Sequence, residues 1–436
     1  MRYHLVTLGC PKNTVDSDQF ERMLLARRHT PTVRPSDADL LIVNTCGFID
    51  ASKEESVDAI LRLAAIKKPG QKLVAAGCMT QLYGDEVAHE IPEVDHVFGV
   101  NQWDKVAALA QAGIAAPWDI PTTSSPMIAR TSAYLKISDG CNAPCTFCII
   151  PQIKGRFSSA ATGQIVAEAR RLVADGAREL VLVAQDSTAW GEDIGQRDGL
   201  AGLLRLLSGS LTEQPWLRLM YAYPGRVSAK LIETMASLPN VVHYLDMPLQ
   251  HASVPVLKRM RRPANMEMVR RTIADLRATM PDIALRTSLI VGFPGETEAE
   301  FEDLKAFVRE TRFDHAGVFT YSPQEGTPSA SMGEQVPEQV KKQRRRELME
   351  IQQQISAEHH RALLGHELNV LIEAVSHRRK GEGVVSIGRG YRDAPEVDGV
   401  VIVRGEFVPG TMLRVRVTGA MPYDLLAEPL PQPATV

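Results

Sequence analysis

Residues 133–156 read AYLKISDGCNAPCTFCIIPQIKGR and carry the strongest structural signal in the chain. They contain three of the six cysteines, Cys141, Cys145 and Cys148, in the spacing C-x3-C-x2-C. Three thiols cannot all pair with one another as disulfides, and bridges across such short loops would be strained. The spacing is typical of an iron–sulfur cluster, and in a four-iron cluster one iron would keep an open position. The alternatives are ordinary free cysteines and a zinc site that lacks its fourth ligand.

The composition of the chain is that of a folded, water-soluble protein. It has 436 residues, of which 44% are hydrophobic and 23% charged, and its net charge is -3. This length suits two or three domains of about 100–200 residues each. The charge gives no strong general attraction to nucleic acid or anionic membranes, and there is no apolar run of about 18 residues. We therefore expect a cytoplasmic protein, in which cysteines more often bind metals than form disulfides.

Residues 1–115 alternate short apolar runs with helical patterns, which predicts a doubly wound parallel sheet. One of these helices is predicted from Ser17. The first three predicted strands are each followed within two residues by a cysteine, namely Cys10, Cys46 and Cys78. Ligands bind beyond the carboxyl ends of strands in such sheets, so these cysteines should converge at one edge. Buried structural cysteines are the alternative, but the shared position favours a second cluster site.

Residues 131–340 follow a predicted linker at 116–130 and contain about six strand–helix units in series. This pattern predicts a complete or partial (β/α) barrel, in which the cysteine loop follows the first strand. Barrel enzymes place their chemistry at the C-terminal ends of the strands. The polar residues predicted at these ends are Gln185, Asp186, Gln250, His251, Arg286 and Ser288. Gln185, Asp186, Gln250 and Ser288 are the candidate cofactor-binding residues, with ordinary loop capping and turn chemistry as the alternative.

The C-terminal region is predicted to contain a connecting helix at 341–365 and a small antiparallel β-barrel at 366–432. The helix begins with a basic run, for which a solvated face or an RNA contact are the alternatives. Between His366 and Glu428 there are eight basic and nine acidic side chains. An RNA-binding barrel should be clearly basic, so the balance favours a basic protein as the partner.

Several motifs resemble known families. The C-x3-C-x2-C loop, with Phe147 before its last cysteine, resembles the signature of radical S-adenosylmethionine (SAM) enzymes. The segments GCPKNTVDSD, NTCGFIDASKEES and AAGCMTQLYGDE resemble the methylthiotransferase family, and LGCPKN looks most like the branch that modifies ribosomal protein S-twelve. The transfer-RNA branch typically has FGCQMN here, from which this chain departs at Leu8, Pro11 and Lys12. The S-twelve branch usually has Glu where this chain has Asp18. The C-terminal barrel resembles a TRAM domain.

This resemblance implies a cofactor set. It implies two [4Fe-4S] clusters, one on the cysteines of the 141–148 loop and an auxiliary one on the three strand-end cysteines. SAM would serve both as radical source and as methyl donor, with Phe147 among the residues that contact it. No side chain is expected to act as a catalytic acid or base, because an unactivated C–H bond is not acidic enough for proton abstraction.

The resemblance also implies a reaction and its partners. The expected reaction adds a methylthio group to the β-carbon of an aspartate in ribosomal protein S-twelve of the small subunit. An electron donor and a sulfur source would be further partners, with no role for a membrane or DNA. The alternatives are methylthiolation of an isopentenyladenosine in transfer RNA and a non-catalytic iron–sulfur protein that docks on the ribosome.

Overall fold

The computed structural model describes residues 1–109, 131–377 and 383–431. The predicted linker at 116–130 and the basic residues 378–380 lie outside these ranges, and the predicted domain limits stay predictions. No described helix combines the length and the apolar character needed to cross a lipid bilayer.

The N-terminal part is a five-stranded parallel sheet with strand order β2-β1-β3-β4-β5. Its elements are β1 (Arg2–Thr7), α1 (Pro11–Ala26), β2 (Thr30–Pro31), β3 (Leu40–Thr45), α2 (Asp50–Ile66), β4 (Lys72–Gly77), α3 (Cys78–Glu90), β5 (His96–Phe98) and α4 (Trp103–Leu109). Alternate residues of β3 and β4 enter two separate apolar cores, one with α2 and α3 and the other with α1 and α4. Helices therefore cover both faces, which confirms the doubly wound sheet.

Helix α1 begins six residues before its predicted start at Ser17. Its first residue is Pro11, directly after Cys10. Proline suits this position because the first amide of a helix has no intrahelical acceptor. The first turns bury polar side chains, including Lys12, Asn13 and Asp16. The apolar periodicity from which the helix was predicted is absent there, which is why the prediction was wrong.

The central part contains six parallel strands in the order β13-β12-β11-β10-β9-β6. Its strands are β6 (Ser132–Lys136), β7 (Ser138–Asp139), β8 (Ser158–Ser159), β9 (Glu179–Val183), β10 (Trp216–Leu219), β11 (Val241–Asp246), β12 (Ala284–Val291) and β13 (His315–Thr320). Its helices are α5 (Ile150–Lys154), α6 (Thr162–Ala174), α7 (Gly199–Ser210), α8 (Ala229–Ser237), α9 (Val254–Arg259), α10 (Met266–Thr279) and α11 (Glu298–Thr311). Within the described residues β6 and β13 are the two edges, so the barrel is a partial one.

Other parts of the chain cover the inner face of this partial barrel. Val15 of α1 packs against Val181 of β9 and Tyr244 of β11. Ala394, from a loop of the C-terminal domain, belongs to the same apolar cluster. Arg389 reaches the barrel from that domain and lies 2.5 Å from Glu179. The N-terminal and C-terminal parts therefore complete the core of the central one.

The C-terminal part consists of a long helix and a closed five-stranded barrel. Its elements are α12 (Glu338–Ala362), β14 (Glu367–His377), β15 (Val384–Gly390), β16 (Val401–Arg404), β17 (Met412–Ala420) and β18 (Leu425–Pro429). The barrel order is β14-β15-β16-β18-β17, and the pair β16–β18 is parallel whereas the other pairs are antiparallel. The barrel was predicted correctly, except for the direction of that one pair.

The basic run at the start of α12 is only partly solvated. Lys341 donates to the carbonyl oxygen of Tyr321 at 2.8 Å, and Arg344 pairs with Glu296 at 2.9 Å. Both basic side chains are buried against the central domain. The expectation of a fully solvated face was wrong for these two positions.

Candidate active site

The structure brings Cys10, Cys46 and Cys78 together at the carboxyl edge of the N-terminal sheet. Cys10 lies at the N-cap of α1, Cys46 follows β3 directly, and Cys78 is the first residue of α3. Gly9 has a φ of 92°, and a Cβ at this position would come within 2.7 Å of the Cys46 sulfur. Glycine at position 9 therefore permits the close approach of the two cysteine loops.

Asn13 connects the three loops that carry these cysteines. Its Nδ2 donates to the carbonyl oxygens of Leu8 at 3.0 Å and Thr45 at 3.1 Å. Its Oδ1 accepts from the Cys78 thiol at 3.3 Å. One side chain on α1 thus links the ends of β1 and β3 to the start of α3. Sequence analysis missed Asn13, although its place in the LGCPKN motif is a signal that could have found it.

The second cysteine group lies in the loop between β7 and α5. The backbone amide of Cys148 donates to the Cys145 carbonyl at 3.2 Å, and the amide of Ala143 donates to the Cys141 sulfur at 3.4 Å. Thr146 anchors the loop by donating to the Arg259 carbonyl at 3.0 Å. These contacts turn the loop tightly after the first barrel strand, where the sequence predicted the site.

Helix α5 connects the two cysteine groups. It follows Cys148 almost directly in sequence. Ile149 and Ile153 pack in one apolar cluster with Cys78 and Val100 of the N-terminal part. The sequence predicted two cluster sites that act together, and in the structure the five-residue helix α5 follows one cysteine group and packs beside Cys78 of the other.

Burial keeps four of the six thiols from ionising on their own, as their raised pKa values show. Desolvation raises the pKa of Cys78 and of Cys148 to about 12, and it also raises the pKa values of Cys46 and Cys141. The thiolate is the form that binds metal, and a bound cation lowers a thiol's pKa. An iron centre would supply the positive charge that these buried thiols need in order to bind as thiolates.

The six cysteine thiols suit iron–sulfur clusters better than single metal ions. All six cysteines are free. Within the described ranges, no three His, Cys, Asp or Glu side chains converge closely enough to hold one metal ion. A cluster does not need that convergence, because each cysteine bonds a different iron. Two groups of three free cysteines therefore suit two iron–sulfur clusters.

The candidate cofactor-binding residues differ in their contacts, and their role stays a prediction. Phe147 is partly buried among Phe293 and Tyr321. Gln185 donates to Asp139 at 3.2 Å, and its buried Oε1 has no partner among the described residues. An unsatisfied buried acceptor is costly unless a ligand donates to it. Gln185 is therefore well suited to contact a bound molecule.

Asp186 is instead occupied by its own loop. Its carboxylate accepts from the Thr188 hydroxyl at 2.6 Å and from the Ala189 amide at 3.2 Å, and it lies 3.5 Å from the Arg226 guanidinium. Burial raises its pKa despite these contacts. Asp186 therefore caps its own loop, which was the alternative to a role in cofactor binding.

Gln250 lies beyond the end of β11, whereas Ser288 and Arg286 lie within β12 rather than at its end, so their predicted strand-end position was wrong. The Gln250 amide donates to the Ser288 carbonyl at 2.9 Å, and Gln250 has a left-handed φ of 75°. Strained residues of this kind occur often at binding sites. His251 is fully buried, and desolvation lowers its pKa to about 3. His251 is therefore neutral, and its buried Nε2 has no hydrogen-bond partner among the described residues.

Comparison with known proteins agrees with this geometry. Residues 2–99 match the Uncharacterized protein family UPF0004, residues 135–308 the Radical SAM superfamily, and residues 364–430 the TRAM domain. The ribosomal protein uS12 methylthiotransferase of Roseiflexus sp. (strain RS-1) is 46% identical over 100% of this chain and 98% of its own. That of Geobacter sulfurreducens is 42% identical over 97% of each chain. The chain belongs to the ribosomal protein uS12 methylthiotransferase family. It is a radical SAM methylthiotransferase, which confirms the predicted enzyme class.

Solved structures of lower similarity support the fold alone. The radical SAM methyltransferase TsrM from Kitasatospora setae, with cobalamin and a [4Fe-4S] cluster bound, has a TM-score of 0.53 at 13% identity. The similarity covers 76% of this chain and 77% of TsrM. The cobalamin-dependent SAM radical enzyme OxsB has a TM-score of 0.53 at 12% identity, over 80% and 56% of the two chains.

In this methylthiotransferase, Arg262 is a site residue that sequence analysis missed. Its guanidinium lies 3.9 Å from the Cys145 sulfur and 4.3 Å from the centre of the Tyr223 ring. No ion pair joins Arg262 to a carboxylate in the described part of the chain. The arginine is far from the cysteine loop in sequence, so only the fold could bring them together.

An ionic network joins α1 to the cysteine loop of the methylthiotransferase. Asp16 accepts from Lys136 at 2.5 Å and from Lys154 at 2.7 Å, and Lys136 also contacts Asp139 at 3.0 Å. Burial alone would raise the pKa of Asp139, but the two lysines hold it below its usual value. The network is largely buried, so solvent screens it weakly, and it fixes the N-terminal domain beside the radical SAM loop.

Proposed function

We propose that this enzyme adds a methylthio group to the β-carbon of an aspartate in ribosomal protein uS12, in the cytoplasm. The observation that carries this proposal is the 46% identity to a uS12 methylthiotransferase along the full chain. The arrangement of the two cysteine groups supports it, because α5 follows the 141–148 loop and packs beside Cys78.

The cysteines of the 141–148 loop would hold one [4Fe-4S] cluster, and Cys10, Cys46 and Cys78 would hold the other. When bound, these clusters and SAM supply the radical chemistry, the sulfur and the methyl group. The protein contributes apolar surroundings, since Ile149 and Ile153 pack in one cluster with Cys78 and Val100. A dry site protects reactive species from water and other hydrogen donors.

The residues proposed to hold SAM are Phe147, Gln185, Asp186, Gln250 and Ser288. Gln185 has the strongest support, since its buried Oε1 can accept from the ammonium group of a bound SAM. Asp186 would act indirectly, by fixing the loop that follows β9. Phe147 presents an aromatic face beside the last cysteine of the loop.

The C-terminal barrel supports a protein substrate over RNA. Two of its basic residues are engaged in contacts with the enzyme itself, Arg389 buried and Arg392 partly buried. Arg389 pairs with Glu179 and Glu373, and Arg392 pairs with Asp314. These cations are unavailable to phosphates, and Glu373, Asp393 and Asp398 are likewise paired, so the barrel stays near neutral rather than basic. An electron donor and a sulfur source complete the proposed set of partners.

The function is tested by incubating the reconstituted enzyme with uS12, SAM, sulfide and a reductant. Mass spectrometry of uS12 should show the added mass of one methylthio group on an aspartate. Cys145→Ala should abolish formation of 5′-deoxyadenosine. Cys46→Ala should retain some SAM cleavage but yield no methylthiolated product. A methylthio group on transfer-RNA nucleosides, with uS12 unmodified, would refute the proposed substrate.

A further inference from the structure

Lys12 is a buried cation between α1 and the central sheet. It is 9% exposed, and its Nζ lies 3.5 Å from the centre of the Tyr221 ring. Tyr221 follows β10, at the end of the barrel strands where substrates bind. Val15 lies one turn further along α1 and packs inside the barrel. Residues three apart share a helix face, so Lys12 faces the barrel interior at the level of its strand ends.

No carboxylate is in direct contact with the Lys12 ammonium group, which is attracted by the Tyr221 side chain and by the more distant Asp246. Among residues 1–109, 131–377 and 383–431, no carboxylate lies within the 4.0 Å of its Nζ that defines an ion pair. Asp16 on the same helix pairs with two other lysines, and Asp246 pairs with Arg286 at 2.9 Å. A contact with an aromatic face offsets only part of the cost of burying an ammonium group. Lys12 thus lacks a carboxylate in direct contact and can bind an anion that enters the site.

Two carboxylates would enter this site, and the structure offers a different cation near each cysteine group. SAM brings its methionine carboxylate, and the target aspartate brings its side chain. Arg262 lies 3.9 Å from the Cys145 sulfur, beside the loop where SAM would bind. Lys12 is two residues from Cys10, in the group proposed to handle sulfur. The target carbon must meet that sulfur, so Lys12 is the cation placed for the target.

We propose that Lys12 binds the side-chain carboxylate of the target aspartate and thereby selects aspartate over an uncharged residue. The inference rests on the proposed function, because it assumes an aspartate substrate. A charge-assisted hydrogen bond from the ammonium group would hold the carboxylate and so orient the adjacent β-carbon. A target without this charge would leave Lys12 buried and unpaired, which is how a polar site rejects an analogue.

The test compares purified uS12 with uS12 that carries asparagine in place of the target aspartate. Binding is measured by titration calorimetry to the reconstituted full-length enzyme, with SAM present and without reductant. The enzyme should bind the aspartate form about 10–100-fold more tightly, the range expected for a hydrogen bond between charged groups. Lys12→Met should remove most of this preference, whereas Lys12→Arg should retain it.

Lys305→Met is the matched control. Lys305 also lies over an aromatic ring, 4.8 Å from the centre of Phe301, but it pairs with Glu302 and Glu347. It lies on α11, on the outside of the barrel, so this variant should keep the full preference for the aspartate form.

Equal binding of both uS12 forms by the unaltered enzyme would overturn the inference, and this result needs no variant to fold. A Lys12→Met enzyme with normal iron content and melting temperature that keeps the preference would also overturn it. Weaker SAM binding with the preference intact would assign Lys12 to the methionine carboxylate instead. Failure of the unaltered enzyme to methylthiolate uS12 at all would refute the proposed function itself.

Discussion

Removal of the Arg389 side chain should loosen the junction between the C-terminal barrel and the central domain. Arg389 is 2% exposed, and its guanidinium contacts Glu179 at 2.5 Å and Glu373 at 2.7 Å. Glu179 is fully buried at the start of β9 and also pairs with Arg218 at 2.7 Å. Arg389→Met would leave Glu179 with one cation instead of two.

The expected loss of stability can be worked out in two ways. Breaking a buried ion pair by removing one partner typically costs about 3–5 kcal/mol. Burial alone would raise the pKa of Glu179, but Arg218 and Arg389 lower it from 4.5 to about 2. This shift corresponds to about 3 kcal/mol at neutral pH, supplied by both arginines together. We therefore expect Arg389→Met to cost about 3 kcal/mol.

Urea unfolding followed by tryptophan fluorescence measures this effect, since Trp216 lies at the start of β10 near the junction. The matched control is Arg404→Met, because Arg404 is 82% exposed in its pair with Glu428. A surface pair of this kind contributes about 0–1 kcal/mol. The Glu179 contribution should be present above pH 4.5 and be lost as the pH falls towards 2, because its folded-state pKa is lowered. Equal urea midpoints for the two variants would refute the reasoning.

Three further predictions concern single positions. Gly9→Ala should cost about 1–3 kcal/mol of strain and lower the iron bound after reconstitution, because its Cβ would meet Cys46. The control is Gly70→Ala, where φ is 90° and the surrounding space is open, and this variant should keep its iron. Gln185→Leu should weaken SAM binding in equilibrium dialysis by about 10-fold, the value of one hydrogen bond to a charged group; unchanged binding would remove Gln185 from the site. Burial raises the pKa of Asp393 to about 6, so its contribution to stability should fall as the pH rises from about 4 to 6. The melting temperature of Asp393→Asn should therefore change less with pH across that range than that of the unaltered enzyme.

The position of the cysteines could be predicted from sequence because two local rules combine. Apolar runs mark the strands, and ligands of parallel sheets lie beyond the strand ends. Cys46 and Cys78 follow their strands directly, and Cys10 follows three residues after Thr7. The same reasoning located the loop that contains Cys141.

The contacts between domains could not be predicted in this way. Lys12 and Asp16 lie on a helix whose first turns are polar, and their partners are more than 100 residues away in sequence. Lys341 and Arg344 belong to a charge run that resembles a solvated face, but the long aliphatic stems of such residues can be buried while their charges are paired. Pairing at this range depends on tertiary structure, which a local pattern does not encode.

The pairing of Arg389 with Glu179 also sets an order of events during protein synthesis. The two residues are 210 positions apart. At typical translation rates of about 5–20 residues per second, roughly 10–40 s pass between their synthesis. During that interval Glu179 and the inner face of the barrel lack the C-terminal loop that covers them. A nascent chain stalled before residue 389 would therefore lack the partner of Glu179 and expose an open, charged barrel.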